Sequence, residues 1–358
     1  MKKLYIFLTL FILIINTSFG QDYPTPVEGN YEIDNFQFKS GESLPKLNIH
    51  YTTIGKPTKD KDGRVNNAVL IMHGTTGSGK GFLVDKFAGY LFGTGQLLDA
   101  SKYFIILPDA IGHGESSKPS DGMHMKFPKY DYDDMVLANY KLLTEHLKVD
   151  HLRLIMGTSM GGMECWVWGY TYPDFMDAIM PLASLPVQIG GRNWMQRALI
   201  VKLIEMDPAW ENGEYRKQPK VGLSGAIGQL MFMVSSPLQW QKEAPTREEA
   251  EEKLDKLLNR YLSKLDANDM IYAFEASRNY NPAPYLTKIK APLFAINSAD
   301  DQVNPPELGL MEKEIKKVKN GKYILLPITN KTMGHGTHSL PAIWWKYLSE
   351  LLTISENK

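Results

Sequence analysis

One serine in this chain stands where a hydroxyl could become a nucleophile. The run Gly157-Thr158-Ser159-Met160-Gly161 follows a short apolar stretch, Leu152 to Met156. It opens a second apolar, helix-like run that passes Trp166 and Trp168 to Tyr172-Pro173. Strand, sharp turn and helix are the context in which G-x-S-x-G acts as a nucleophile elbow. The turn needs glycine because neighbouring backbones approach closely, and Gly157, Gly161 and Gly162 meet that need. A helix starting below Ser159 would offer free N–H groups and a positive dipole end to a developing oxyanion.

A serine hydroxyl attacks a carbonyl only once a base takes its proton. His335 directly follows Gly334, in the loop after the apolar run Tyr323 to Pro327, and can be that base. Asp301, four residues before Pro305, can hold the imidazole tautomer and offset its charge. Serine, acid, histidine is the chain order that accompanies such an elbow. Each partner has a competitor: Asp300 beside Asp301, and His338 beyond His335. The spacing to Pro305 and the preceding glycine select Asp301 and His335, with Asp300 and His338 as the alternatives.

A second oxyanion donor is expected where an earlier strand ends. Ala68 to Met72 is a continuous apolar run that enters His73-Gly74-Thr75-Thr76-Gly77-Ser78-Gly79. The backbone N–H of Thr75, paired with that of Met160, would form the hole. A phosphate loop is excluded by spacing, because Lys80 is followed by Gly81 rather than Ser or Thr. Asp109 and His113 lie in a turn-rich loop and are read as shaping the fold, outside the triad.

The elements that would hold these residues follow from periodicity. Strands are expected at Tyr31 to Phe38, Leu47 to Thr52, Ala68 to Met72, Tyr103 to Leu107, Leu152 to Met156, Ala178 to Ala183, Leu293 to Asn297 and Tyr323 to Pro327. The middle ones are continuous apolar runs, as in parallel strands covered on both faces. An amphipathic helix is predicted from Tyr132 to Leu147. Between Ser184 and Pro284 helical runs dominate, without a buried strand. The expected architecture is therefore α/β, a mostly parallel sheet in two parts, 21–183 and 287–358, with a helical cap at 184–286.

Composition narrows the class. The 358 residues carry 40 Lys+Arg and 40 Asp+Glu, so nothing suggests a nucleic-acid partner. His73, His113, His124, His335 and His338 lack a ligand spacing, so no metal or organic cofactor is expected. The one cysteine, Cys165, is read as a small core residue. Residues 1–20 read as a signal peptide: Lys2 and Lys3, apolar Leu4 to Ile15, then Ser18-Phe19-Gly20, with cleavage before Gln21. Export to the periplasm, with no membrane attachment afterwards, is the expectation; an uncleaved anchor is the alternative.

With the triad assembled, the chain resembles the α/β-hydrolase superfamily, and within it the homoserine O-acetyltransferase branch. Gly157 to Met163 with Tyr172-Pro173 resembles that branch's elbow helix. Asp207-Pro208-Ala209-Trp210, Gly222-Leu223, Leu265 to Asp269 and Asp301 to Pro306 are similar to its cap and acid loop. The resemblance implies the α/β-hydrolase fold, a small-molecule substrate and caps able to pair as a homodimer. Two positions depart. Gly336 stands where the branch has an Asp after the histidine, and Ser224 to Ile227 lack its Arg. An amino-acid acceptor needs charged partners for its ammonium and carboxylate. The expectation is a serine hydrolase of esterase type, with an acyltransferase of different acceptor as the alternative.

Overall fold

The structure, a computed structural model, describes residues 22–356. The predicted signal segment and its cleavage point lie outside the described residues. Eight strands form one sheet. They are β1 (Val27–Gln37), β2 (Ser43–Ile54), β3 (Ala68–Met72), β4 (Phe104–Pro108), β5 (Leu154–Thr158), β6 (Ile179–Leu182), β7 (Leu293–Ser298) and β8 (Gly321–Leu326). Their order is β1-β2-β4-β3-β5-β6-β7-β8. Neighbours from β4 through β8 are parallel, while β1 and β2 pair antiparallel and β2 lies antiparallel on β4. This is the α/β-hydrolase architecture expected of the sequence, a mostly parallel sheet with helices packed around it.

The main helices are α1 (Tyr132–Lys141), α2 (Met160–Thr171), α3 (Gly191–Glu205), α4 (Lys220–Val234), α5 (Pro237–Glu243), α6 (Arg247–Leu262), α7 (Ala267–Glu275) and α8 (Pro341–Ser355). Successive strand residues point to opposite faces, which builds two cores. Ala68, Leu70 and Met72 join the cluster of Trp166 and Trp168. Val69 and Ile71 join Phe87, Phe92 and Trp344 on the other face. Residues Met160 to Gly169 of α2 are all buried, in keeping with a helix that is apolar on every face except at Glu164. A third cluster, including Ile200, Leu223, Ile227 and Phe274, lies within α3 to α7. All five of those helices fall between β6 and β7, so this stretch contributes no strand to the sheet.

Two details differ from simple periodicity. The helix predicted over Tyr132 to Leu147 is α-helical only to Lys141, then widens at Leu142–His146, where Leu147 N–H bonds the Leu142 carbonyl at 2.9 Å. Thr144 Oγ1 bonds the Tyr140 carbonyl at 2.8 Å in this turn, a local competitor for the regular ladder. Pro181 sits inside a central strand. Ile179 and Ala183 donate towards β7, to Pro292 and Ile296, so alternation aims position 181 the same way. The missing N–H of Pro181 falls on the β6–β7 side, where the registered pairs are Ile179–Leu293 and Leu182–Ile296.

Gly161 lets α2 sit directly on β3. A Cβ there would lie 2.2 Å from the Met72 carbonyl oxygen, a backbone atom that cannot step aside. Gly228 in α4 is the contrast, with nothing within 4 Å of such a Cβ. Gly161→Ala is expected to cost about 3 kcal/mol through overpacking. Gly228→Ala should be neutral or stabilising by up to about 1 kcal/mol. Urea midpoints of the two variants test this, and equal midpoints would refute the seating of α2 on β3.

Candidate active site

Ser159 caps the start of α2 with φ 54° and ψ −109°, a backbone that an L-residue rarely adopts. Three hydrogen bonds hold it there. Ser159 N–H donates to the Leu182 carbonyl at 2.9 Å, Gly161 N–H to the His73 carbonyl at 2.9 Å, and Met163 N–H to the Ser159 carbonyl at 2.9 Å. The side chain therefore stands at the C-terminal end of β5, above the edge where parallel α/β sheets place their ligands.

His335 reaches Ser159 from the loop after β8. Its Nε2 lies 2.7 Å from Ser159 Oγ, and its Nδ1 lies 2.9 Å from Asp301 Oδ2. An ionised carboxylate only accepts, so Nδ1 carries the proton and Nε2 is left to accept from the serine hydroxyl. Asp301 is 2% exposed. Burial alone would raise its pKa. The facing imidazole, the Asn304 side chain and the Val303 N–H more than offset that, and the carboxyl is held below its ordinary value. Asp301 Oδ1 accepts from Val303 N–H at 2.8 Å and Asn304 N–H at 3.2 Å, and Oδ2 accepts from Asn304 Nδ2 at 3.0 Å.

The two competitors are placed elsewhere. Asp300 accepts from Ser298 Oγ, Gly334 N–H and Ser236 Oγ. His338 stands edge-on to His335, with ring centroids 5.3 Å apart and planes at 84°. Loss of solvent around its ring lowers its pKa. Sequence reasoning missed Asn304, which also donates to the Ala183 carbonyl at 2.9 Å and so joins the acid loop to the end of β6. The signal was present: Asp301-Gln302-Val303-Asn304 has the spacing of an Asx turn.

Met160 follows Ser159 at the start of α2, and Thr75 follows Gly74 in the loop that abuts the serine. The loop after β3 turns tightly, with Gly77 N–H on the Gly74 carbonyl at 2.9 Å and Thr76 at φ 65°. A Cβ on Gly74 would lie 3.3 Å from Ser159 Cβ, so the loop abuts the serine. Among the described residues, neither the Thr75 nor the Met160 amide donates to a protein acceptor. His73 fixes this loop. Its Nε2 accepts from Ala110 N–H at 3.0 Å, which leaves Nδ1–H to donate to the Gly74 carbonyl at 2.8 Å. Burial lowers its pKa and keeps it neutral. Asp109 does structural work, accepting from Gly79 and Glu115 N–H and pairing with His50. His113 is buried, with its Nδ1 on the Ile111 carbonyl. Cys165 is a buried free thiol. Among the described residues, no three His, Cys, Asp or Glu side chains gather as a metal site.

Glu164, on the buried helix that Ser159 caps, is 1% exposed. Its Oε2 meets Asn139 Nδ2 at 3.4 Å, and its Oε1 has no partner. Burial pushes its pKa from 4.5 up to about 8. The folded state therefore holds a proton that the unfolded chain releases. That contribution is complete below about pH 4.5 and lost as pH rises through about 8. Between those values parental stability should fall relative to Glu164→Gln by about 1.4 kcal/mol per pH unit. Urea unfolding of both proteins at several pH values checks this, and parallel stability curves would refute it.

Comparison with known proteins places these observations. A family model described as alpha/beta hydrolase fold matches residues 67–326. A homoserine O-acetyltransferase of Pelobacter propionicus is 30% identical over 338 residues, covering 84% of this chain and 89% of that protein. A probable acyltransferase of Methanothermobacter thermautotrophicus is 29% identical over 279 residues, covering 78% of this chain and 84% of its own length. Among solved structures, an acetylester hydrolase from Corynebacterium glutamicum superimposes with a TM-score of 0.80 at 22% identity, covering 91% of this chain and 96% of that one.

Proposed function

The chain belongs to the alpha/beta hydrolase fold family, in its homoserine O-acetyltransferase-like branch, and from that premise we propose that it transfers an acyl group from a small ester through an acyl-enzyme on Ser159. The coarser statement, an enzyme of the acyltransferase and esterase kind, follows from the relatives. The finer one rests on His335, which bridges Ser159 Oγ at 2.7 Å and Asp301 at 2.9 Å.

Chemistry follows from that bridge. Nε2 of His335 takes the hydroxyl proton as Oγ attacks the ester carbonyl. Asp301 offsets the imidazolium charge. The N–H groups of Thr75 and Met160 receive the oxyanion, each worth about 3 kcal/mol of barrier. The leaving alcohol takes the proton from His335 as the tetrahedral carbon collapses to acyl-Ser159. An acceptor hydroxyl then gives its proton to His335 and attacks the acyl carbon; the bond from that carbon to Ser159 Oγ breaks, and Oγ takes the proton back from His335.

The acceptor in this reading is a neutral hydroxyl compound. Across Ser224 to Ile227, the run in which the branch carries its Arg, no side chain is charged, and Ala226 and Ile227 are fully buried among apolar neighbours. Gly336, where it has Asp, offers no side chain. Neither position can pair with an amino acid's charges, whereas an alcohol needs no such partner. The curated relatives named as acyltransferases weigh towards transfer to an alcohol. Hydrolysis is the second reading, favoured by the same two positions, since water also needs no charged partner. The signal segment belongs to the proposal too: the enzyme is exported, to the periplasm, and starts at Gln21 once mature.

Mass spectrometry after fluorophosphonate treatment should find one adduct, on Ser159, and none in Ser159→Ala. Asp301→Asn should lower kcat on an aryl acetate by about 10⁴-fold. Product analysis with added homoserine or a neutral alcohol then reads the acceptor. Acetylation of the alcohol and not of homoserine is expected; acetyl-homoserine as the main product would sink the assignment. Edman sequencing of protein recovered from a secreting host should begin at Gln21, and an intact Met1 would exclude cleavage.

A further inference from the structure

Asp300 does not face the imidazole, yet its carboxylate is engaged on three sides. Oδ1 accepts from Ser298 Oγ at 2.5 Å, at the end of β7. Oδ2 accepts from Gly334 N–H at 3.0 Å, the residue before the base, and from Ser236 Oγ at 3.2 Å. Ser236 is buried and lies in the break between α4 and α5, where the two helices meet at 108°. Gly334 is packed against the same corner: a Cβ on it would lie 2.7 Å from the Ser235 carbonyl oxygen. Its φ of 59° suits glycine as well. Among the described residues no cation pairs with Asp300, so its charge is spent on these donors alone. Hydrogen bonds to an ionised acceptor are stronger than neutral ones.

The loop Asp300 to Asn304 meets the helical segment twice more. Arg192 bonds Gln302 Oε1 at 3.0 Å, and Asn193 Nδ2 bonds the Val303 carbonyl at 3.1 Å. Both of those contacts reach the acid's side of the loop. Among the described residues, Asp300 is the one side chain of this loop that hydrogen-bonds both the helical segment and the loop carrying the base.

We propose that Asp300 is a positioning residue that joins the α4–α5 corner to the His335 loop, so that seating of this corner and placement of the base are a single event. The inference rests on the acyl-transfer reading above. In it, one carboxylate fixes the Gly334 amide, hence the path of the backbone into His335, and holds the corner through Ser236. A substrate that needs the corner displaced therefore also loosens the base, and one that fits with the corner seated meets a base already in place.

A cycle of Ser236→Ala, Asp300→Ala and the double variant tests this, with hydrogen exchange and aryl acetate kinetics as readouts. Ser236→Ala should speed exchange in the peptide spanning the corner and, to a smaller degree, in the peptide containing Gly334, raise KM about fivefold and lower kcat about threefold. Asp300→Ala should speed exchange there and in the peptide containing Gly334, and lower kcat about tenfold as well. Adding Ser236→Ala to Asp300→Ala should change nothing further, because the joint is already broken. Independent, multiplying effects of the two substitutions would overturn the proposal, as would unchanged protection around Gly334 in Asp300→Ala. Should Asp300→Ala fail to fold, Asp300→Asn takes its place in the same cycle, since it keeps the shape and one acceptor. Exchange still judges the joint in a protein that turns over no ester, so failure of the acyl-transfer reading and failure of the joint are told apart.

Discussion

Ser159 is kept in a backbone conformation that its own side chain disfavours, and much of the molecule serves to keep it there. A positive φ on a non-glycine residue costs of order 1–3 kcal/mol, and it persists only where the surroundings over-determine it. Here the surroundings are three strands deep. β6 accepts the serine's own amide, the end of β3 accepts that of Gly161, and the first turn of α2 closes on the Ser159 carbonyl. Each of these contacts needs a close backbone approach. That explains why glycines surround the serine and why β3, β5 and β6 are adjacent in the sheet. The result is a hydroxyl lifted clear of the strand and a helix start beneath it, both in place before any substrate arrives. Preorganisation of this kind is where most catalytic stabilisation originates.

The base and acid are held by loops rather than by regular elements, and loops need their own fastening. Asp301 is fastened by Asn304, by two backbone amides and by the imidazole itself. Its low pKa is the electrostatic trace of that fastening, since a buried carboxylate with no donors would move the other way. His73 plays a comparable part for the loop after β3. Its neutral form uses one nitrogen as donor and the other as acceptor, so a side chain with the look of a base works instead as a brace.

Most of this was legible in the sequence because the strands are short apolar runs and the elbow has a tight local pattern. All eight strands stand near their expected places, and Ser159, His335 and Asp301 come together although they are far apart in the chain. What was not legible belongs to pairings across long separations. Nothing local in Asp300-Asp301 says that one carboxylate faces an imidazole while the other faces a backbone amide and a helix corner. Pro181 reads as an interruption until the direction of its missing N–H is known. α5 is too short, at 7 residues, for periodicity to reveal. Glu164 looks like any glutamate on a helix, and only the burial of every face of α2 makes it a neutral acid.

The helical segment leaves the sheet after β6 and returns at β7, and those two strands are neighbours. An excursion between adjacent strands perturbs no pairing, so the five helices form something close to an interchangeable module, and their own apolar cluster lets them vary as a block. Grafting a different block onto this scaffold would leave the pairing of β3, β5 and β6, and with it the nucleophile's geometry, untouched. The junctions to respect would be the polar contacts at residues 300–304 and those of α7 with the loop after β4, Asp269 with Ser120 and Tyr272 with the Met125 and Phe127 carbonyls. A graft that ignored them would inherit the chemistry and lose its alignment, and one that reproduced them could carry a new selectivity on an old engine.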